Sequence, residues 1–275
     1  MEFKSGVYTV IPTFFKDGEV DLEQLTNAVK IQISSGIKNI VLLGTTSETP
    51  TLSIIEQETI VQTVWKEFNG QVNIIVGIGG NNTKATLENA FKFKPMCDAF
   101  MVTVPYYNKP SQEGIFKHFS TISQLVGDKP IMMYNIPSRC GVSMTPETIA
   151  DLYSNHDNIV AIKEASGSIS QTLEIKSLCD IKVFSGDDAL TLPLMSVGAE
   201  GVVSVASNII PNLMITLVDK FNKETEEAIE LNKKLYPLFK ALFLDTNPVP
   251  LKYLIFKLGL ASDYSVRLPL VDISS

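Results

Sequence analysis

The sequence has few of the residues that would build a metal centre or a disulfide framework. Its only histidines are His118 and His156. A His-based metal site is therefore not expected, and both read as ordinary helix or loop residues. Its three cysteines, Cys97, Cys140 and Cys179, are odd in number and far apart. That fits reduced thiols in a cytoplasmic protein better than paired bridges. No stretch of about 18 apolar residues occurs, so no segment is expected to span a membrane. Basic runs interleaved with aromatics are missing and the net charge is −7, which argues against a nucleic-acid surface. The segment Met1 to Val10 shows no basic stretch followed by an apolar core, so no secretory signal is expected.

What is present is a rhythm of short apolar runs and amphipathic segments. Eight runs read as strands: Val7–Ile11, Asn39–Leu43, Asn73–Gly77, Ala99–Thr103, Pro130–Tyr134, Ile159–Lys163, Lys182–Ser185 and Gly201–Val205. Most are continuously hydrophobic, as parallel strands covered on both faces must be. Between them lie helix signals. Leu22, Leu25, Val29 and Ile33 repeat at helical spacing. Asp21 with Gln24 and Ser53 with Glu56 have the spacing of capping pairs. Thr145-Pro146 reads as an N-cap followed by proline at the first helical position. Alternation repeated eight times predicts a closed (β/α)₈ TIM barrel, and 275 residues suit one such barrel. Residues 1–207 are expected to form the barrel core, and 208–275 its last helix and a small helical appendage. The helices expected there are Asn208–Asn222, Glu224–Phe243 and Val249–Leu258.

A barrel of this kind reacts substrates at the C-terminal ends of its strands. Reactive side chains are dense there. The second strand runs into Gly44-Thr45-Thr46-Ser47-Glu48, and the fourth into Val104-Pro105-Tyr106-Tyr107-Asn108. The fifth ends at Tyr134-Asn135 with Arg139 soon after, the sixth at Lys163-Glu164, and the seventh at Ser185-Gly186-Asp187-Asp188. Lys163 is the sharpest of these. A lysine side chain pointing inward loses water, which disfavours the ammonium and favours the nucleophilic amine. Position alone leaves a second reading, in which Lys163 pairs with Glu164 or snorkels outward. Tyr134 and Tyr107 could relay protons or could be core phenols with satisfied hydroxyls. Arg139 has the fork that suits a carboxylate, although loop arginines are usually solvated. Thr45 and Thr46 could hold an anion with hydroxyls and backbone N–H groups. Asp187-Asp188 reads as a helix start rather than a metal pair.

Taken in order, these segments resemble the dihydrodipicolinate synthase/N-acetylneuraminate lyase family. The likeness extends through Pro105-Tyr106-Tyr107-Asn108-Lys109-Pro110-Ser111-Gln112-Glu113-Gly114 and Tyr134-Asn135-Ile136-Pro137-Ser138-Arg139. It continues through Ile162-Lys163-Glu164-Ala165, Gly201-Val202-Val203-Ser204-Val205 and Asn247-Pro248-Val249-Pro250, and so covers nearly the whole chain. The resemblance implies that Lys163 forms an imine with pyruvate, and that the derived enamine attacks L-aspartate 4-semialdehyde. It makes Tyr134 the main proton donor and acceptor, joined through Thr45 to Tyr107. It gives pyruvate to Thr46, Gly186 and the Val203 backbone, and the second substrate's carboxylate to Arg139. It implies no metal or organic cofactor, and a homodimer or homotetramer in which Tyr107 enters the neighbouring subunit's site. Arg139 argues against a sister aldolase acting on sialic acid or a 2-keto-3-deoxy sugar acid. Loss of Lys163 or Tyr134 would mark a non-catalytic keto-acid-binding homologue, and both are present.

The sequence departs from the family pattern at Ser47, where glycine is usual, and at Cys140, where threonine is common. It departs also where lysine-inhibited members carry a histidine and a glutamate. The matching positions are Gln57 and Ala85, and Ile54 adds only apolar surface, while Asn81 and Tyr106 remain. Ala85 offers no anion for an ammonium group. Losing one charge-assisted hydrogen bond of about 1.5–3 kcal/mol weakens binding roughly ten- to a hundredfold. L-Lysine is therefore expected to inhibit weakly or not at all. Titration of the condensing activity at sub-saturating pyruvate checks this, and strong inhibition at micromolar lysine would contradict it.

Overall fold

A computed structural model describes residues 2–221 and 223–273 of the chain. Eight parallel strands form a closed barrel. They are Gly6–Val10, Asn39–Leu42, Asn73–Gly77, Ala99–Thr103, Ile131–Asn135, Ile159–Glu164, Lys182–Ser185 and Gly201–Ser204. Each lies within a residue or so of its expected run. Their burial explains why: Ile40, Val41, Ile75, Phe100, Met132, Ile162 and Val202 are essentially inaccessible. Strands covered on both faces have no polar face to alternate with.

The chain clusters into two compact units. One comprises Ile75–Val202 with the segment up to Ser5; the other comprises Gly6–Ile74 with the segment from Val203 onward. In the first unit the fourth to seventh strands pair in parallel, and Tyr134 stands opposite Lys163 while Asn135 stands opposite Glu164. Helices Thr83–Phe93, Gln112–Val126, Pro146–Asn155 and Ile169–Leu178 carry its connections. Their starts are set by side-chain caps. Ser111 accepts from Gly114 N, Thr145 from Thr148 N with Pro146 next to it, and Ser168 from Gln171 N.

In the second unit the first and second strands pair with Tyr8 opposite Asn39. Asp21 caps helix Leu22–Ser34 through Gln24 N, and Ser53 and Glu56 form a reciprocal capping box on Ile54–Phe68. A two-stranded hairpin, Phe15–Lys16 with Glu19–Val20, was not expected from the sequence. The first C-terminal helix begins at Pro211, because Ala206–Asn208 forms a separate 3₁₀ turn ahead of it. It runs to Phe221, and the expected end at Asn222 lies outside the described residues. Thr225–Ala241 and Val249–Lys257 complete the series. Among the described residues no helix is long and apolar enough to cross a membrane.

Arg267 ties the C-terminal segment of this unit to its early loops. Its guanidinium donates to Glu56 Oε1 at 2.6 Å, to Thr51 O at 3.1 Å and to Gly18 O at 2.8 Å. The guanidinium also lies 4.4 Å from the centre of the Phe15 ring. The Arg267 hydrogen bond, helped by those from Ser53, holds the Glu56 carboxyl down from 4.5 to about 2 against the opposing effect of burial. A carboxylate depressed in this way contributes stability above its unfolded pKa and loses it as pH falls. With solvent screening the contribution is about 1 kcal/mol. Glu56→Gln should therefore lower the melting temperature at pH 7, with the gap to the parent closing between pH 4.5 and about 2. Parallel thermal melts across that range test it; a gap independent of pH would refute the role given to the Arg267 bond.

Candidate active site

The strand register places Tyr134 and Lys163 side by side on one face of the sheet. Both are buried, and Lys163 Nζ lies 4.1 Å from the centre of the Tyr134 ring. The next position on each strand turns to the other face. There Glu164 accepts from Asn135 Nδ2 at 3.0 Å, from Gln171 Nε2 at 3.2 Å and from Ser166 N at 2.6 Å. The reading in which Lys163 pairs with Glu164 is thus replaced: that carboxylate is engaged on the opposite face. Burial pushes the Glu164 carboxyl up, opposed by the hydrogen bonds from Asn135, Ser166 and Gln171. Asn135 is itself fixed, since its Oδ1 accepts from Met144 N at 3.0 Å.

Gly186 follows the seventh strand, where its N–H donates to Glu164 O at 2.8 Å. A Cβ at this position would stand 2.6 Å from Ala165 Cβ and 3.1 Å from Lys163 Cε. Glycine therefore permits this backbone to approach Ala165 and the lysine stem closely. Asp187 accepts from Ala189 N and starts the turn Asp188–Leu190, the structural role expected of the acidic pair.

Tyr107 and Arg139 sit on loops after the fourth and fifth strands. Tyr107 is 87% exposed with φ 69°, a left-handed conformation that costs a residue with a Cβ about 1–2 kcal/mol. Arg139 is exposed in the short helix Pro137–Cys140, where a guanidinium can meet an incoming anion. Cys140 beside it is buried, and its thiol, pushed up to about 11, is no nucleophile at neutral pH. His118 is a buried helix residue whose Nδ1 lies 2.9 Å from Thr83 Oγ1, and burial lowers it to about 4. Among the described residues no group of three or more His, Cys, Asp or Glu side chains could hold a metal ion.

In the second unit, Thr45–Ser47 forms a 3₁₀ turn directly after the second strand. Thr46 is buried and its Oγ1 accepts from Asn247 Nδ2 at 3.0 Å. The left-handed residues around this turn are Leu43 and Glu48, each at φ 54°, and not Ser47. A glycine's freedom is consequently not needed at 47. Instead the Ser47 hydroxyl donates to Ile11 O and its carbonyl accepts from Thr13 Oγ1, both at 2.7 Å. Val203 lies buried on the eighth strand.

Glu48 reveals a feature that the sequence reading missed. Its Oε1 accepts from Lys252 Nζ at 2.8 Å and its Oε2 from Arg267 N at 2.9 Å. The two charged side chains are 0% and 1% exposed. Burial pushes Lys252 down, and the adjacent Glu48 carboxylate opposes that shift. Lys252 Nζ also lies 4.3 Å from the centre of the Phe15 ring. One signal was available: Lys252 is the sole charge within Val249-Pro250-Leu251-Lys252-Tyr253-Leu254-Ile255.

A cavity of about 780 Å³ in the first unit is lined by Phe3, Tyr153, His156, Asn158 and Lys182. Pro130, Asn158 and Lys182 mark the N-terminal ends of their strands, so it opens at the end opposite Lys163. The C-terminal rim remains the place for chemistry.

Residues 2–275 match the model of the dihydrodipicolinate synthetase family. The chain belongs to that family. A 4-hydroxy-tetrahydrodipicolinate synthase of Endomicrobium trichonymphae is 43% identical over 271 residues, covering 98% of this chain and 92% of that protein. The structure of such a synthase from Methylacidiphilum fumariolicum SolV superposes with a TM-score of 0.95 at 40% identity, covering 98% and 91% of the two chains. A structure described as a monomeric dihydrodipicolinate synthase variant gives a TM-score of 0.95 at 39% identity, covering 98% and 92%.

The buried ion pair sets up a stability test. Removing one partner leaves an unpaired buried charge at a cost of about 3–5 kcal/mol, whereas removing both charges costs less. Glu48→Gln and Lys252→Met should each be destabilised by that order in denaturant titrations. The double variant Glu48→Gln/Lys252→Met should recover part of the loss, since glutamine can still accept from Arg267 N. Single variants within about 1 kcal/mol of the parent would show that the pair is not the holding contact.

Proposed function

We propose that this chain condenses pyruvate with L-aspartate 4-semialdehyde on Lys163, giving 4-hydroxy-tetrahydrodipicolinate on the route to diaminopimelate and lysine. The observation that carries the proposal is the buried Lys163 amine stacked 4.1 Å over the Tyr134 ring, with the Gly186 backbone packed close against its stem. Family membership supplies the substrates. The amine attacks the pyruvate carbonyl carbon and loses water to form an imine. The imine draws electrons from the methyl group, which releases a proton to give an enamine. The enamine carbon bonds to the aldehyde carbon, and the aldehyde oxygen takes up a proton. Attack by the substrate's own amine at the imine carbon then closes the ring and returns Lys163.

Each proton step needs a group that can give and take a proton without holding charge, which suits phenols and hydroxyls. Tyr134 takes the central part, with Thr45 and Tyr107 completing the relay. Thr46, Gly186 and the Val203 backbone hold pyruvate. Arg139, exposed on its loop, receives the carboxylate of the second substrate through its planar fork. Tyr107 serves a neighbouring subunit in a homodimer or homotetramer; its 87% exposure and left-handed backbone support that role. A cytoplasmic setting is in keeping with three free cysteines.

Borohydride reduction in the presence of pyruvate should fix one pyruvate-derived adduct on Lys163, located by intact mass and peptide mapping. Lys163→Ala should take up none. Undiminished labelling of Lys163→Ala would remove the lysine from the mechanism.

A further inference from the structure

The helix Val249–Lys257 and the residues leading into it touch the Thr45–Ser47 turn region at two points. Asn247 Nδ2 donates to Thr46 Oγ1 at 3.0 Å, and Lys252 Nζ donates to Glu48 Oε1 at 2.8 Å. All four residues are buried. A hydroxyl has one proton to give and two lone pairs to receive with. By accepting from Asn247, Thr46 keeps its single proton for another partner. A carboxylate can only accept, so a threonine that presents its proton binds one, and a threonine that presents lone pairs repels it. The direction of the Asn247 bond therefore sets whether Thr46 attracts or rejects the carboxylate of a keto acid. The Glu48–Lys252 pair holds the same two segments together two residues further along the turn, so the Asn247 amide cannot slide away from its partner.

We propose that Asn247 is a positioning residue for pyruvate binding, acting through Thr46 by orienting its hydroxyl proton. This rests on the assignment of Thr46 to pyruvate made above. No family motif residue is asked to change role: the Asn247-Pro248 step becomes part of the binding apparatus through a bond to a side chain 201 residues away.

The test is a double-mutant cycle of Asn247→Asp and Thr46→Val, read as KM for pyruvate and as kcat at saturating second substrate. An aspartate carboxylate can only accept, so it draws the Thr46 proton to itself. Asn247→Asp should raise KM for pyruvate about tenfold or more, while kcat falls by less than about threefold. Thr46→Val should raise KM similarly, and the double variant should be little worse than either single. A KM within twofold of the parent in Asn247→Asp would overturn the proposal. So would an Asn247→Asp effect that persists in full in the Thr46→Val background, because that is direct charge repulsion. Melting temperatures establish folding. If Asn247→Asp does not fold, Asn247→Ala reads the same coupling: a smaller KM rise, absent when Thr46 is valine, supports it, and a rise independent of Thr46 overturns it. Borohydride trapping on the parent separates the two levels. Absence of a Lys163 adduct overturns both the function and this inference; an adduct without Asn247–Thr46 coupling overturns this inference alone.

Discussion

A lysine paired with a carboxylate is held as its ammonium, which has no lone pair with which to attack a carbonyl. The chemistry proposed for this barrel depends on keeping Lys163 and Glu164 apart. Strand alternation does the first part, sending the two side chains to opposite faces. The second part is done by Asn135, Ser166 and Gln171, which satisfy the Glu164 carboxylate where it is buried. Because Asn135 and Glu164 are register partners, their hydrogen bond also fixes the pairing of Tyr134 with Lys163 one step before. A slip of the sixth strand by one residue would turn Lys163 away from Tyr134 and bring Glu164 to that face.

Buried charge recurs in the second unit with a different purpose. Glu48 and Lys252 lie 204 residues apart in the chain, yet both are withdrawn from water and bonded at 2.8 Å. Such a pair is weak evidence for added stability, because desolvation offsets most of the attraction. The pair also fixes a contact, placing the turn that carries Thr46 against the helix Val249–Lys257. Phe15 adds an apolar face on which Lys252 and Arg267 both rest.

Much of this was legible in the sequence, for a physical reason. Strands buried on both faces write themselves as apolar runs, and caps write themselves as Ser, Thr or Asp at fixed offsets. The eight strands and the Asp21, Ser53 and Thr145 starts could be read for that reason. Lys163 and Tyr134 were readable as candidates because a strand end on a barrel rim is a restricted place, and Tyr107 because its loop follows such an end. The Glu48–Lys252 and Asn247–Thr46 contacts were not, since pairings across some 200 residues leave no local pattern. The hairpin at Phe15–Val20 is too short to show period-two alternation. The effect of Ser47 became clear only from the backbone, where the left-handed residues around the turn are Leu43 and Glu48.

The missing side chain at Gly186 bears on how such a barrel can be altered. One wall of the site consists of backbone and the Lys163 stem, with no atom to spare: even a methyl group would press on Ala165 and on the lysine itself. A side chain cannot be introduced there without pressing on the Lys163 stem. Evolution and engineering alike are left with the exposed loops that carry Arg139 and Tyr107. The packed strand ends thus leave little scope for change, and the exposed loops leave more.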